Sequence, residues 1–374
     1  MIYIHVPFCR SFCTYCGFYS EICQEFEPYG KALIKEIDSR REEIEESSGV
    51  NTLYIGGGTP SVLPPSVLKD IVCALGSSDY EEFTVEVNPD DVTPSYASFL
   101  KELGVNRISM GVQSFDDSIL KWMNRRHDAA SALAAFKTLR LAGFDNISID
   151  LIFGLSQLSD DVWKATLEQA LELSPEHISA YQLSIEEGSV LEELVSNGRY
   201  SPAPDELCAH QYDMLCKALS DAGYNHYEIS NFAIPGREAV HNSAYWRQLP
   251  YVGLGPGAHS LRILNDGSLK RSWNPSDIKA YCSLCLSYSG FEILSGSPKD
   301  FEILSPEQVA LERIMLGLRT SEGVSCGFLK ENSLPGALDR LLSEGFLEKT
   351  PSDNVRIPEK HFFVSDSIIS KIPR

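Results

Sequence analysis

Six short β-rich runs separated by helical patterns constrain this chain more than any other feature. The runs are YIHV (3–6), TLYIG (52–56), FTVEV (83–87), RISMGV (107–112), ISIDLIF (147–153) and HISAYQL (177–183). Between them, segments such as YGKALIKEIDSRREEIEE, SVLKDIVCALG, PSYASFLKELG and DAASALAAFKTLRLAG place apolar residues at helical spacing, and several end in a helix-stopping Gly. Strands alternating with helices argue for βαβ units, whose right-handed crossovers build a parallel sheet that can curl toward a barrel. The α/β class follows, as a partial (β/α)6 TIM-like barrel, two units short of the usual eight. A chain of 374 residues, 43% of them hydrophobic, can bury the core this requires and has length for about two domains.

In a barrel of this kind the chemistry sits at the C-terminal ends of the strands. The second strand runs into Gly56-Gly57-Gly58-Thr59-Pro60, the third ends Glu86-Val87-Asn88-Pro89, the fourth Gly111-Val112-Gln113-Ser114, and the fifth contains Asp150. Taken singly, a Gly run is a turn and an acid near a strand end is solvated or caps a helix. Together on one face they predict a mouth lined by bare backbone, two carboxylates and an amide.

The loop after the first strand reads HVPFCRSFCTYCGFYS (5–20) and carries Cys9, Cys13 and Cys16. A disulfide framework pairs cysteines in even numbers, and a structural zinc site closes with four ligands. Three thiolates on one loop suit a 4Fe-4S cluster that leaves one iron free for an exchangeable ligand. Phe8, Phe12, Tyr15 and Phe18 around them would shield such a cluster from water. Two other readings stand beside it: a zinc knuckle completed by His5 or Cys23, and a loop whose thiols share no ligand. Cys282-x-x-Cys285 lies in DIKAYCSLCLSY, an amphipathic helical pattern with no partner pair, and is not read as a metal site.

With an aromatic residue before its third cysteine, the C-x-x-x-C-x-x-C loop resembles the signature of radical S-adenosylmethionine (SAM) enzymes. That resemblance implies that the amino and carboxylate groups of SAM chelate the open iron. Further along, YIHVPFC, LYIGGGTPS, EVNP, GVQSFDD, the RRH of MNRRHDA, SIDLIFGL, YQLSIEEGS and YVGLGPGAHS occur in the order seen in the oxygen-independent coproporphyrinogen oxidase superfamily, which includes the HemW-like haem chaperones. The likeness runs along essentially the whole chain. It implies SAM contacts from Tyr3, Tyr15, Phe18, Gly57, Gly58, Thr59, Glu86, Gln113, Arg125 and Asp150, with His259 of GPGAHS at the SAM end. Glycine backbone can meet the methionyl amine, Glu86 and Asp150 can accept ribose or amino hydrogen bonds, and Arg125 can pair the SAM carboxylate.

Two departures separate the branches of that superfamily. The decarboxylating oxidases resemble C-x-x-x-C-x-x-C-x-C and carry an N-terminal extension; here Phe18 holds the last position, and Cys9 is preceded by only eight residues. Conversely His241, Asn242, Tyr245 and Trp246 resemble an H-N-x-x-Y-W motif of the chaperone branch associated with haem handling. An imidazole can ligate iron, and the aromatic rings offer flat faces to a porphyrin. The resemblance thus implies haem or another porphyrin as cargo, a haem acceptor protein and an electron donor. The alternative is oxygen-independent coproporphyrinogen III oxidase of porphyrin biosynthesis.

The balance of 32 Lys+Arg against 52 Asp+Glu, a net charge of −20, repels phosphate backbones and anionic lipid, so nucleic acid is not an expected partner. No apolar run approaches 18 residues and the chain opens MIYIHVPF directly into the cysteine loop, so neither an integral membrane segment nor a leader is expected, and the location expected is cytoplasmic. From Ser305 the pattern changes to helices and a short hairpin, like a small α+β winged-helix module. With nine Lys+Arg against eleven Asp+Glu over 301–374 it reads as a cover for the barrel mouth and not as a DNA reader. The expected boundaries are 1–260 for the barrel, 261–304 for a connecting segment and 305–374 for a C-terminal domain of the same superfamily's type.

Overall fold

A computed structural model describes residues 1–22, 26–46, 50–76, 79–287 and 301–372. The six expected strands form as β1 (Ile2–Val6), β2 (Thr52–Gly57), β3 (Glu82–Val87), β4 (Arg107–Gln113), β5 (Ile147–Phe153) and β6 (His177–Gln182). They lie side by side in chain order, all parallel. Helices such as Phe26–Ser39, Pro65–Leu75, Ala129–Leu141 and Asp160–Leu173 make the crossovers. Their starts follow the local chemistry: Asp128 and Ser159 each accept a hydrogen bond from a first-turn amide.

Strand alternation decides what the barrel encloses. One face of each strand carries Leu53 and Ile55, Phe83 and Val85, Ile108 and Met110, or Ile149 and Leu151, all buried in the main core. The other face carries Thr52 and Tyr54, Glu82, Thr84 and Glu86, Arg107 and Ser109, Ser148 and Asp150, then His177, Ser179 and Tyr181. Parallel strands covered on both faces are ordinarily apolar throughout. Here the inner face is polar, so the enclosed space is built for polar contacts.

Three short strands extend the sheet beyond the expected six. β7 (Asn225–Glu228) and β8 (Asn231–Ala233) form a hairpin antiparallel to β6, and β9 (Val252–Leu254) pairs parallel with β1. The order β7-β8-β6-β5-β4-β3-β2-β1-β9 leaves the nine-stranded sheet open. Strands of three or four residues are too short to show a period of two, which is why periodicity does not reveal them.

The base of the barrel is stopped by the helix Val240–Trp246. Glu82, at the N-terminal end of β3, accepts hydrogen bonds from the Val240 and His241 amides at 2.7 and 3.1 Å. A distant carboxylate thereby satisfies amides that the helix itself leaves open.

The stretch read as a connection carries secondary structure of its own. β10 (His259–Ile263), β11 (Leu269–Trp273) and β12 (Phe301–Leu304) form an antiparallel sheet, and Ile278–Ser287 is a helix. A buried network fixes this region to the first crossover helix. Glu36 accepts from the Gly255 amide, Asn274 Nδ2 and the Tyr281 hydroxyl, while Arg40 pairs with Glu36 at 3.0 Å and donates to the Gly253 carbonyl at 2.8 Å. The C-terminal region has helices Pro306–Gly317, Cys326–Glu331 and Ala337–Ser343, a small sheet of β13 (Val324–Ser325), β14 (Glu348–Lys349) and β15 (Asn354–Arg356), and the closing segments Glu359–Val364 and Ser365–Ile369. Ser305 and Gln308 start it with a reciprocal capping box.

Candidate functional site

The cysteine loop is pinned on three sides. Its ends are tied by hydrogen bonds from the Cys9 amide to the Glu21 carbonyl and from the Glu21 amide to the Pro7 carbonyl. Thr14 donates to the Met123 and Trp122 carbonyls, and Asn124 donates to the Phe12 carbonyl at 2.7 Å. Gly58 brings β2 against the loop's root: its amide donates to the Val6 carbonyl at 2.8 Å, and an added Cβ would lie 2.6 Å from the Phe8 carbonyl oxygen. Only glycine fits that approach. Gly57 has φ +111°, which also favours glycine, and a Cβ there would strike the His5 ring.

Cys9, Cys13 and Cys16 face a cavity of about 850 Å³ at the C-terminal ends of the strands. Its walls include Tyr15, Phe18, Gly57, Gly58, Thr59, Glu86, Gln113, Arg125 and Asp150. The Arg125 guanidinium donates to Cys13 Sγ (3.3 Å), Asn88 Oδ1 (2.8 Å) and the Gly111 carbonyl (2.6 Å), joining the loop to β3 and β4. Its Nε is buried without a partner among the described residues. Thr59 Oγ1 lies 3.4 Å from Cys9 Sγ. Gln113 stands at a bulge in β4 with φ +70°, a conformation that costs a non-glycine residue energy and turns this amide into the cavity.

Burial dominates the electrostatics. Glu86 accepts from the Tyr54 hydroxyl at 2.7 Å and the Gly57 amide at 3.1 Å, yet desolvation pushes its carboxyl up to about 7, with the nearby Asp150 charge adding to the rise. Asp150 is likewise pushed up to about 6 by burial, against hydrogen bonds from Ser179 and Ser109 and the field of Arg107. The Cys16 thiol is raised to about 11, first by burial and then by the neighbouring cysteines. Two desolvated carboxyls facing one cavity suit a cationic ligand, which would restore their charged forms.

Three thiols on one loop are a donor set that a 4Fe-4S cluster takes, each thiolate on a different iron. His5, one candidate fourth zinc ligand, engages both ring nitrogens elsewhere, with the Tyr3 hydroxyl at 3.0 Å and the Tyr19 carbonyl at 2.9 Å. The other, Cys23, lies outside the described residues. Cys282 and Cys285 sit on the helix Ile278–Ser287, as their spacing predicted.

Other expected site residues stand apart from the cavity wall. Tyr3 reaches His5 and packs near Tyr54. His259 packs on Trp273 at the start of β10. Phe8 turns into the core between Phe26 and Tyr29, leaving Phe12, Tyr15 and Phe18 beside the thiols. His241 is 1% exposed at the barrel base, with Nδ1 2.9 Å from Thr52 Oγ1 and Nε2 3.2 Å from the Tyr245 hydroxyl. Both nitrogens lie within hydrogen-bond distance of hydroxyls, and in this conformation the ring is buried at the barrel base. Tyr245 packs on Tyr251 beside it, and Trp246 ends the same helix. Of that motif, Asn242 is the residue that lines the cavity.

Tyr54, Arg107, Ser109 and Ser179 also line the cavity without having been singled out. The signal was present: polar residues at every second position in strands that a parallel barrel would otherwise make apolar.

Three thiols on the first strand's loop thus stand above glycine, carboxylate and arginine groups at the following strand ends, all within a part of the chain that matches a known family. The model of the radical SAM superfamily matches residues 3–170, so this part of the chain is a radical SAM domain. The E. coli coproporphyrinogen III oxidase HemN, itself described as a radical SAM enzyme, superposes with a TM-score of 0.77 over 99% of this chain and 88% of that one, at 19% identity, and so shares the fold. Among relatives, the heme chaperone HemW of Bacillus subtilis (strain 168) is 35% identical over 94% of this chain and 93% of its own length. The HemW of Lactococcus lactis (strain IL1403) is 34% identical over 92% and 88%. The chain belongs to the HemW family.

Proposed function

We propose that this protein is a haem chaperone that holds a 4Fe-4S cluster on Cys9, Cys13 and Cys16, binds SAM beside it, and carries haem to an acceptor protein in the cytoplasm. The observation that carries the reading is the convergence of the three thiols with Gly57, Gly58, Glu86, Gln113, Arg125 and Asp150 on one cavity, in a chain similar to HemW proteins along nearly its whole length. Cys9, Cys13 and Cys16 would hold the cluster, which would supply one-electron chemistry to SAM bound beside it, with the electron from a separate donor.

The residues present have definable work. Arg125 holds Cys13 and offers its unpaired Nε to an anion such as a carboxylate. Glu86 and Asp150 receive a cationic or hydroxyl-bearing ligand. Gly57 and Gly58 keep side chains out of the space between loop and strand. Phe18, 72% exposed at the mouth, stands where the oxidase branch has a further cysteine, which favours the chaperone over coproporphyrinogen decarboxylation.

Anaerobic reconstitution followed by parallel haem-binding and coproporphyrinogen III assays tests this. The expected result is a cluster lost in Cys9→Ala, Cys13→Ala and Cys16→Ala but kept in Cys282→Ala, with haem bound and no protoporphyrinogen formed. Robust protoporphyrinogen formation with reductant and SAM would overturn the reading in favour of the oxidase.

A further inference from the structure

Behind the cavity wall, three separate chain segments meet on one carboxylate. Asp91 closes the short turn Pro89–Asp91 that follows β3, and its side chain is 3% exposed. Oδ2 accepts from the Ser61 hydroxyl at 2.8 Å and from Arg126 Nη2 at 3.0 Å. Oδ1 lies 3.5 Å from Arg10 Nη2 and makes no hydrogen bond among the described residues.

Each arm of this hub ends beside a residue of the site. Arg10 directly follows Cys9. Ser61 stands two residues after Thr59, whose hydroxyl is 3.4 Å from Cys9 Sγ, and Ser61 Oγ also accepts from the Asn88 amide at 3.2 Å. Arg126 directly follows Arg125, which donates both to Cys13 Sγ and to Asn88 Oδ1. Asp91 itself touches neither the thiols nor Arg125. A carboxylate at this depth is costly unless its partners are all in place, and here they come from the loop after β1, the turn after β2 and the loop after the helix Asp117–Trp122. Moving any one segment leaves the charge short of a partner, so the three are held in one mutual placement. The consequence falls on Arg125, whose guanidinium must meet the cysteine loop and a ligand at once. In sites that work by orientation, a misplacement of about 1 Å costs up to about a hundredfold.

We infer that Asp91 is a positioning residue of the cofactor site: it locks the cysteine loop, the β2 turn and the Arg125 segment in the arrangement in which thiols and guanidinium address one ligand. The inference rests on the SAM-binding part of the reading above, and adds to it a residue that contacts neither cluster nor ligand.

The test is Asp91→Asn in the reconstituted full-length protein, which keeps the shape of the side chain and removes its charge. Three quantities are read: iron per chain, SAM affinity of the cluster-loaded fraction by calorimetry, and the electron paramagnetic resonance spectrum of the reduced cluster with and without SAM. The expected result is the iron content of the wild type, SAM affinity weakened about tenfold, and a smaller spectral change at a fixed, subsaturating SAM concentration. Ser61→Ala, a small truncation that also lies outside the cavity wall, should weaken SAM about two- to fivefold. The double variant should fall short of the product of the two factors, because both changes act through one carboxylate. A purely structural Asp91 would lower iron content and thermal stability together and leave the affinity of the loaded fraction unchanged. That result, or factors that multiply in full, overturns the inference while the SAM site stands. If Asp91→Asn assembles no cluster, Ser61→Ala decides alone, and wild-type SAM affinity in it overturns the inference. If the reconstituted wild type binds no SAM, the SAM-binding reading falls and the inference with it.

Discussion

Replacing Glu86 by Gln separates burial from hydrogen bonding at the strand ends. In the folded protein the Glu86 carboxyl is pushed from 4.5 up to about 7, chiefly by desolvation. For an acid whose folded pKa is raised, the folded state binds more protons than the unfolded state between the two values, so stability falls as pH rises from about 4.5 to about 7 and is level above. The full cost is roughly 3 kcal/mol above pH 7 and only about 1 kcal/mol at pH 5. The amide carries no charge and escapes this cost at every pH. Its oxygen can still accept from the Gly57 amide, but its NH2 must donate to the Tyr54 oxygen where the carboxylate accepted, and exchanging a charge-assisted bond for a neutral one costs about 1 kcal/mol. Asp150 titrates in both proteins and its contribution largely cancels. Urea unfolding of cluster-free protein should therefore find Glu86→Gln equal to the wild type at pH 5 and more stable by about 2 kcal/mol at pH 8. A stability difference that does not change between those pH values would refute the claim that burial controls this carboxyl. SAM affinity should move oppositely, falling in the variant at pH 8, because the charge that destabilises the empty site is what a cationic ligand uses.

Arg125→Ala removes the link between Cys13, Asn88 and Gly111, and SAM affinity measured by calorimetry should fall by about 2 kcal/mol; an unchanged affinity would mean another group pairs the ligand's anion. Gly58→Ala forces its Cβ against the Phe8 carbonyl, so the cysteine loop must shift and iron content after reconstitution should drop while the far-ultraviolet circular dichroism is kept. His241→Ala leaves a cavity and orphans Thr52 and Tyr245, and should cost about 2–4 kcal/mol of stability without shifting the Soret band of bound haem; a shifted band would show that the Val240–Trp246 helix leaves its seat to bind iron.

Much of this protein was settled along the chain. Each strand from β1 to β6 is long enough to declare its period, each crossover helix carries its own apolar stripe, and the cysteine spacing together with the residues that close the strands named the cavity wall, because sequence-adjacent residues at a strand end are spatial neighbours. What the sequence by itself could not determine depends on contacts between residues far apart in it. Glu82 capping a helix 158 residues on is one such contact, and it turns His241, a residue whose type suggests a ligand, into a buried plug. Phe362 and Phe363 reach the cavity only because the C-terminal region folds back over the barrel, and no local pattern marks them. Arg107 read as one polar residue in a strand; its burial beside Glu82 and its place in the cavity wall exist only when six strands curl around a common lumen, since desolvation is a property of the enclosed space and not of any segment of the chain.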